Sequence, residues 1–454
     1  MYKITVNNKV LYAQKGTLLS KLLIDENVPH PCGGRGVCKK CTVLVNGKPE
    51  LSCKYIINDD ITVTLPENGE IVELTGNMDF LTPLKDPIYV LDIGTTTLAL
   101  ALVMSDGNAT VKTATNPQCS LGADVLTRID YCRKNGISQL QSMLIKKINE
   151  LTGSFGISVR NMVVTGNTTM LHTFFGADCS YIGVAPYTPA FLNAKTEPAK
   201  SLGLERIETV KSLPSISSFV GADIVSGIYF AGVPSKGKCN LLVDLGTNAE
   251  VVLYSESFVL CTSASAGPCF EGVNISCGMS ARKGAIYAYS PGAIKTIENG
   301  VPRGICGTGL IDVIAWLLQT GAIDKTGYFE EESLEIADGV FISQQDVRQY
   351  QLAKSAICSA ILTLMNSKRV LPEDVEKMYI SGGFSTEINI KNAVLTGLFP
   401  KELALKGVPI NNSSLLGALK YVCHNGNLDE IVCKAEYISS TEDFSQLFIE
   451  NMSF

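Results

Sequence analysis

From its second residue the chain alternates apolar and polar side chains, and YKITVNNKVLY over residues 2–12 reads as two strands joined by a turn at Asn7-Asn8-Lys9. Leu18 to Asp25 shifts to helical spacing and predicts a short amphipathic helix. Later apolar stretches are of another kind. Residues 88–103, IYVLDIGTTTLALALV, and 241–253, LLVDLGTNAEVVL, are buried strands, each interrupted by Asp-x-Gly-Thr and then resumed. Each is followed downstream by a strand ending in a small, glycine-containing turn: MVVTGNTTM at 162–170 and MYISGGFST at 378–386. Two segments rich in small residues, VGADIVSGIYFAG (220–232) and SSLLGALKYVC (413–423), read as helices whose small faces permit close crossing, as a hinge between two halves needs. The pattern repeats at domain scale.

Composition narrows this picture. A chain of 454 residues holds two to four domains. Hydrophobic residues at 46% and charged residues at 18% describe a folded protein throughout. The formal charge of -6 and the lack of a Lys/Arg run argue against a nucleic-acid partner. The most apolar run, Tyr89 to Met104, is shorter than a membrane span and contains Asp92, so no transmembrane segment is expected. The N-terminal residues lack the apolar core of a signal peptide. The 15 cysteines are accordingly expected as reduced thiols in a cytoplasmic protein.

Four of those cysteines stand apart. After Pro29-His30-Pro31 comes CGGRGVCKKC, with a fourth cysteine in LSCKY, giving C-x5-C-x2-C-x11-C over Cys32, Cys38, Cys41 and Cys53. An iron–sulfur centre needs four thiolates, and one loop delivers three only if its backbone turns tightly, as Gly33, Gly34 and Gly36 permit. A zinc site or unconnected core cysteines are the alternatives. Zinc favours two Cys-x-x-Cys pairs, and this segment has one. The remaining cysteines are dispersed with no Cys-x-x-Cys, so no second cluster is expected. Arg35, Lys39 and Lys40 flank the loop, either tuning it and docking an acidic partner or serving as solvated loop charges. His30, His172 and His424 are too scattered to suggest a zinc site.

The cysteine loop resembles those of plant-type and adrenodoxin-like ferredoxin domains, which implies a low-potential [2Fe-2S] cluster in an N-terminal β-grasp, ferredoxin-like α+β domain over residues 1–74. Residues 75–87 are read as a linker. The duplicated pattern resembles the ASKHA ATPases, which include sugar kinases, heat-shock chaperones and actin. That resemblance implies a duplicated two-lobe α/β fold, lobe I over 88–235 and lobe II over 236–454, with nucleotide in the cleft between them. It places Asp92, Gly94, Thr95, Thr96 and Thr97 in a first phosphate loop and Asp244, Gly246, Thr247 and Asn248 in a second. Ser381, Gly382 and Gly383 become the adenosine motif, and Asp92 and Asp244 reach the Mg²⁺ that accompanies ATP, directly or through water. Buried strand ends with turn glycines explain one such segment less easily when there are two.

Taken whole, the chain resembles the reductive activators of corrinoid enzymes. NPQCSLGADVLTRI (116–129), TGNTTM (165–170), SASAGPCFEG (263–272), GICGTGLIDVIAWLL (304–318) and the closing FSQLFIENMSF carry that resemblance outside the generic motifs. It implies ATP-driven transfer of one electron from the cluster to an inactive Co(II) corrinoid, regenerating Co(I). The implied partners are a methyltransferase-associated corrinoid protein and a low-potential donor such as ferredoxin or flavodoxin, and a homodimer stays open. Larger family members insert a further domain where this chain has only residues 75–87. Asp124, Asp223, Glu250 and Glu271 lie near glycine-rich segments, as candidates to orient the hydrolytic water or as cap and turn residues. Alternatives are an ATP-dependent electron donor to another metalloenzyme, a small-molecule kinase with a fused redox domain, and a nucleotide-switched scaffold.

Overall fold

The computed structural model describes the whole chain except residues 8, 24–27, 29–40, 66–71, 75–77, 79, 123, 384 and 440–441, with backbone alone at 72–74 and 386. Two compact units divide it: Met1–Ser226 with Ala418–Gly426, and Gly227–Gly417 with Asn427–Phe454.

The first unit opens with the expected hairpin. Strands β1 (Tyr2–Val6) and β2 (Lys9–Ala13) pair antiparallel, with Val6 opposite Lys9. Helix α1 spans Leu19–Leu22, shorter than the spacing of residues 18–25 suggests, residues 24–27 lying outside the described part. Strands β3 (Thr42–Val45) and β4 (Lys48–Leu51) join through Asn46-Gly47, both at positive φ, the geometry that matches the twist of a two-residue hairpin. Strand β5 (Ile61–Thr64) lies parallel to β1 and antiparallel to β3, completing a sheet in the order β2-β1-β5-β3-β4. Alternate residues Ile4, Val6, Val43, Val45, Ile61 and Val63 share one buried core with Leu19 and Leu23. This is the β-grasp arrangement that the first seventy residues lead one to expect.

The other two large sheets follow one plan. In the first unit, β6 (Val72–Leu74), β7 (Ile88–Ile93), β8 (Thr97–Val103), β9 (Ala109–Thr115), β10 (Val159–Gly166), β11 (Thr196–Pro198) and β12 (Ile207–Ser212) stand in the order β11-β12-β10-β7-β8-β9-β6. Strands β7, β8 and β9 form an antiparallel meander, and β10 lies parallel to β7. Helices α2 (Val125–Asn135), α3 (Ser138–Phe155) and α4 (Thr168–Phe175) come between β9 and β10 or just after β10, and α3 packs on β8 and α4 on β10. Helix α5 (Ala222–Ala231) contains the boundary between units, after Ser226.

The second unit repeats that scheme. Strands β13 (Cys239–Leu245), β14 (Ala249–Tyr254) and β15 (Val259–Ala264) form the meander. Strands β16 (Ala285–Ser290), β17 (Ala293–Thr296) and β18 (Gly304–Ile305) make a small sheet, and β19 (Ser333–Ala337) and β20 (Val340–Ser343) a hairpin. Strand β21 (Val375–Gly382) lies parallel to β13, with β22 (Gly407–Pro409) beyond it and β23 (Ala435–Tyr437) at the far edge. Helix α6 (Gly307–Thr320) is nearly all buried, and α7 (Gln344–Lys368) packs on β14 and β15. Ser343 and Asp346 form a capping box at the start of α7. Helices α8 (Ile390–Leu395) and α9 (Ser413–His424) follow. The duplicated α/β architecture is therefore present as expected. Among the described residues no helix is long and apolar enough to cross a membrane.

Candidate functional site

The repeat extends to single residues. In the first unit, β10 pairs with β7 so that Thr165 faces Asp92 and Gly166 faces Ile93. In the second, Ser381 faces Asp244 and Gly382 faces Leu245. Each glycine has a positive φ, 152° and 111°, and each lies so close to the neighbouring strand that a Cβ would stand 2.7 Å from the Ile93 oxygen or 2.2 Å from the Leu245 oxygen. Only glycine allows that approach. The hydroxyl before each glycine is also used alike. Thr165 Oγ1 lies 3.1 Å from Ser226 Oγ in α5, and Ser381 Oγ donates to Ser413 Oγ, 2.7 Å away at the start of α9.

The turn between β7 and β8 carries the first predicted phosphate loop. Asp92, at its base, is buried; Gly94 and Thr95 are half-buried, and Thr96 and Thr97 exposed. The Gly94 amide donates to the Thr97 carbonyl at 3.0 Å. Asn167, which caps α4 by accepting from the Met170 amide at 2.9 Å, also donates to Thr95 Oγ1 at 3.1 Å. Beneath the turn, Asn116 Nδ2 donates to the Gly94 carbonyl at 2.8 Å, and the Arg128 guanidinium donates to the Thr95 carbonyl.

In the second turn the Gly246 amide donates to the Asn248 carbonyl at 2.9 Å, and Thr247 Oγ1 donates to Glu271 Oε1 at 2.9 Å. Asp244, half-buried, pairs with Glu250 across β13 and β14, and Glu250 accepts from Ser263 Oγ at 3.1 Å. The Ser381 hydroxyl serves α9, Gly382 is half-buried, and Gly383 is exposed with open space above its Cα. Of the acidic candidates, Glu271 thus reaches a side chain of the second predicted phosphate loop. Asp124 forms the capping box of α2 with Thr127, and Asp223 sits in the first turn of α5, accepting from the Ile224 amide at 2.8 Å.

Cys41 and Cys53 are brought to one end of the β3–β4 hairpin, where the Ser52 amide donates to the Cys41 carbonyl at 3.0 Å. Both are buried in the β-grasp core, which gives half of the expected thiolate set a shared apolar setting suited to an iron–sulfur group. Cys32 and Cys38, with Gly33, Gly34, Gly36, Arg35, Lys39, Lys40 and His30, lie outside the described residues. Among the described residues no three His, Cys, Asp or Glu side chains are grouped to hold a metal ion. Of the other eleven cysteines seven are buried, while Cys119, Cys277 and Cys423 are half-buried and Cys433 is exposed. Burial pushes the thiols of Cys261 and Cys269 up to about 12 and that of Cys358 up to about 11. His172 is likewise structural. Its Nδ1 lies 2.7 Å from the Thr168 carbonyl, its Nε2 accepts from the Ala190 amide at 2.9 Å, and burial lowers its pKa.

Sequence reasoning did not assign roles to Asn116, Arg128 and Asn167, although it singled out their segments. One signal was available. Val125, Arg128, Ile129 and Cys132 follow helical spacing, so the arginine falls on the buried stripe of α2.

Residues 89–236 match the domain family described as the RACo middle region, and residues 238–454 match the C-terminal domain of RACo, the ASKHA domain. The corrinoid activation enzyme RamQ of Eubacterium limosum is 26% identical over 522 residues, covering 86% of this chain and 87% of RamQ. The Co(II) methylated amine-specific corrinoid protein reductase of Methanosarcina barkeri is 26% identical over 412 residues, 80% and 76% of the two chains. A solved reductive activator for corrinoid, iron-sulfur protein superposes with a TM-score of 0.72 at 26% identity, covering 100% of this chain and 98% of that one.

Proposed function

Because this chain belongs to the reductive activators of corrinoid enzymes, we propose that it uses ATP to drive one low-potential electron from a [2Fe-2S] cluster onto the Co(II) corrinoid of a partner protein, regenerating Co(I). The observation that supports it most is the register-matched repetition of Asp92 opposite Thr165 and Asp244 opposite Ser381, each followed by a close-packed glycine, in a chain whose β-grasp sheet brings Cys41 and Cys53 to one hairpin end.

Cys32, Cys38, Cys41 and Cys53 hold the cluster in this reading. When bound, it supplies a one-electron couple of about −400 mV. The backbone amides of Thr95 and Thr96 in one turn and of Thr247 and Asn248 in the other, with the hydroxyls of Thr95 and Thr96, meet phosphate oxygens, while Asp92 and Asp244 serve Mg²⁺. Glu271 fixes the Thr247 hydroxyl. Gly382 and Gly383 offer backbone to the adenosine, with Ser381 holding them to α9. The Co(II)/Co(I) couple lies below the cluster's, and each 100 mV of shortfall is about 2.3 kcal/mol for one electron. Coupling free energies between two sites run about 1–3 kcal/mol, so a nucleotide-dependent preference for one state of the partner spans a gap of roughly 100 mV. The external reductant is a low-potential carrier such as ferredoxin or flavodoxin, in a cytoplasmic setting.

The division of labour is the test. Cys41→Ala should lose Co(I) formation and keep Mg-ATP hydrolysis, whereas Asp244→Asn should lose both. Normal Co(I) formation by Cys41→Ala would contradict the proposal.

A further inference from the structure

A trans peptide points its C=O and the following N–H in opposite directions. In the first turn the carbonyls of Gly94, Thr95 and Thr96 are all taken from one segment, residues 116–128. Asn116 Nδ2 donates to Gly94 O at 2.8 Å, Arg128 Nη2 donates to Thr95 O, and the Asn116 amide donates to Thr96 O at 2.8 Å. The amides of Thr95 and Thr96 therefore face away from that segment, and among the described residues no group accepts from either. Gly94 and Thr97 ordinarily would exchange two bonds as the closing pair of a hairpin. Here only the Gly94 amide bond forms, and the Gly94 carbonyl goes to Asn116 instead.

Arg128 is fully buried, which is tolerable only if its N–H groups are used. Its five N–H donors have five acceptors: Gly122 O at 2.8 Å, Gln118 Oε1 and Met170 Sδ at 3.2 Å, Cys119 Sγ at 3.3 Å, and Thr95 O. Asn116 is fully buried too, its Oδ1 accepting from the Gln118 amide at 3.0 Å. A rigid fork of this kind fixes a carbonyl in direction as well as distance.

Resting on the nucleotide reading above, we infer that Arg128 and Asn116 are positioning residues of the first phosphate turn. They hold its carbonyls inward so that the Thr95 and Thr96 amides stand ready for a phosphate before nucleotide arrives. Neither side chain needs to touch the ligand. Loss of either should weaken nucleotide binding by freeing the turn to close on itself.

The test measures the Kd of Mg-ATP by calorimetry for the full chain as wild type, Arg128→Lys, Asn116→Asp and Leu151→Ala, with thermal melts of each. Leu151 is buried in α3 and serves as the control for lost stability alone. Arg128→Lys keeps the charge and loses the fork; Asn116→Asp keeps the acceptor for Gln118 and loses the donor to Gly94. Each should raise Kd at least tenfold, while Leu151→Ala lowers the melting temperature and leaves Kd within threefold of wild type. If Arg128→Lys fails to fold, Asn116→Asp decides. Folded variants that bind Mg-ATP within threefold of wild type would overturn the inference alone, as would equal weakening in Leu151→Ala. Absence of Mg-ATP binding in wild type would overturn the nucleotide reading beneath it, and the inference with it.

Discussion

Gly382→Ala forces a choice on the second unit between native pairing and native turn. The new Cβ would stand 2.2 Å from the Leu245 carbonyl oxygen, and real Cβ contacts do not fall under 3.0 Å, so β21 and β13 must part by at least 0.8 Å where Gly382 faces Leu245, one residue beyond Ser381 and Asp244. Holding alanine at φ 111° costs about 1–3 kcal/mol, and the overpacking about 1–3 kcal/mol more. A loss of about 2–6 kcal/mol lowers the melting temperature by roughly 4–24 °C in a unit of about 200 residues. A displacement near 1 Å next to Asp244, the proposed Mg²⁺ residue, should also cost about 100-fold in turnover. The neighbouring glycine is the internal control. Gly383 has open space where its Cβ would go, so Gly383→Ala should melt with wild type and weaken Mg-ATP binding only through the adenosine contact. Thermal melts and nucleotide calorimetry on both variants read this out. A Gly382→Ala protein that melts and binds as wild type would refute the steric reasoning.

Three further outcomes are expected. Thr247→Val removes the hydroxyl that donates to Glu271, and Mg-ATP hydrolysis should fall about 100-fold while Thr247→Ser holds near wild type; a valine variant within threefold would speak against Glu271 fixing that turn. Cys53→Ser, at the same hairpin end as Cys41, should lose the visible absorption and reduced-state magnetic signal of the cluster and keep Mg-ATP affinity; an intact signal would remove Cys53 from the ligand set. His172 is held neutral by burial, its folded pKa lying below the unfolded value of about 6.5. The unfolded state therefore binds the extra proton first, so stability is full above pH 6.5 and is lost as pH falls below it. Chemical denaturation should show that acid limb flattened in His172→Gln, and an identical pH dependence in the two proteins would count against it.

Much of this fold was legible because its signals are local. The hairpin around Asn7 and the resumed apolar strands around Gly94 and Gly246 follow from spacing and turn chemistry within a few residues. The match of Thr165–Asp92 with Ser381–Asp244 was only half visible. Sequence shows the repeated motifs, but strand register is set by packing between segments roughly 70 to 140 residues apart. Asn116 and Arg128 were out of reach for a similar reason, since their partners at Gly94 and Thr95 are brought close by the return of β9 alongside β8. Asp124 illustrates the opposite case. An acidic residue ahead of an amphipathic helix reads equally as a catalyst or a cap, and its bond to the Thr127 amide at 2.7 Å makes it a cap.

The central claim is coupling between nucleotide and electron, and one mixing experiment addresses it. Reduced protein is combined anaerobically with the Co(II) form of a methyltransferase-associated corrinoid protein, with and without Mg-ATP, and Co(I) is followed by its visible absorption. Co(I) should accumulate with Mg-ATP and stay low without it; equal amounts in both arms, or none in either, would contradict an ATP-driven corrinoid reductase.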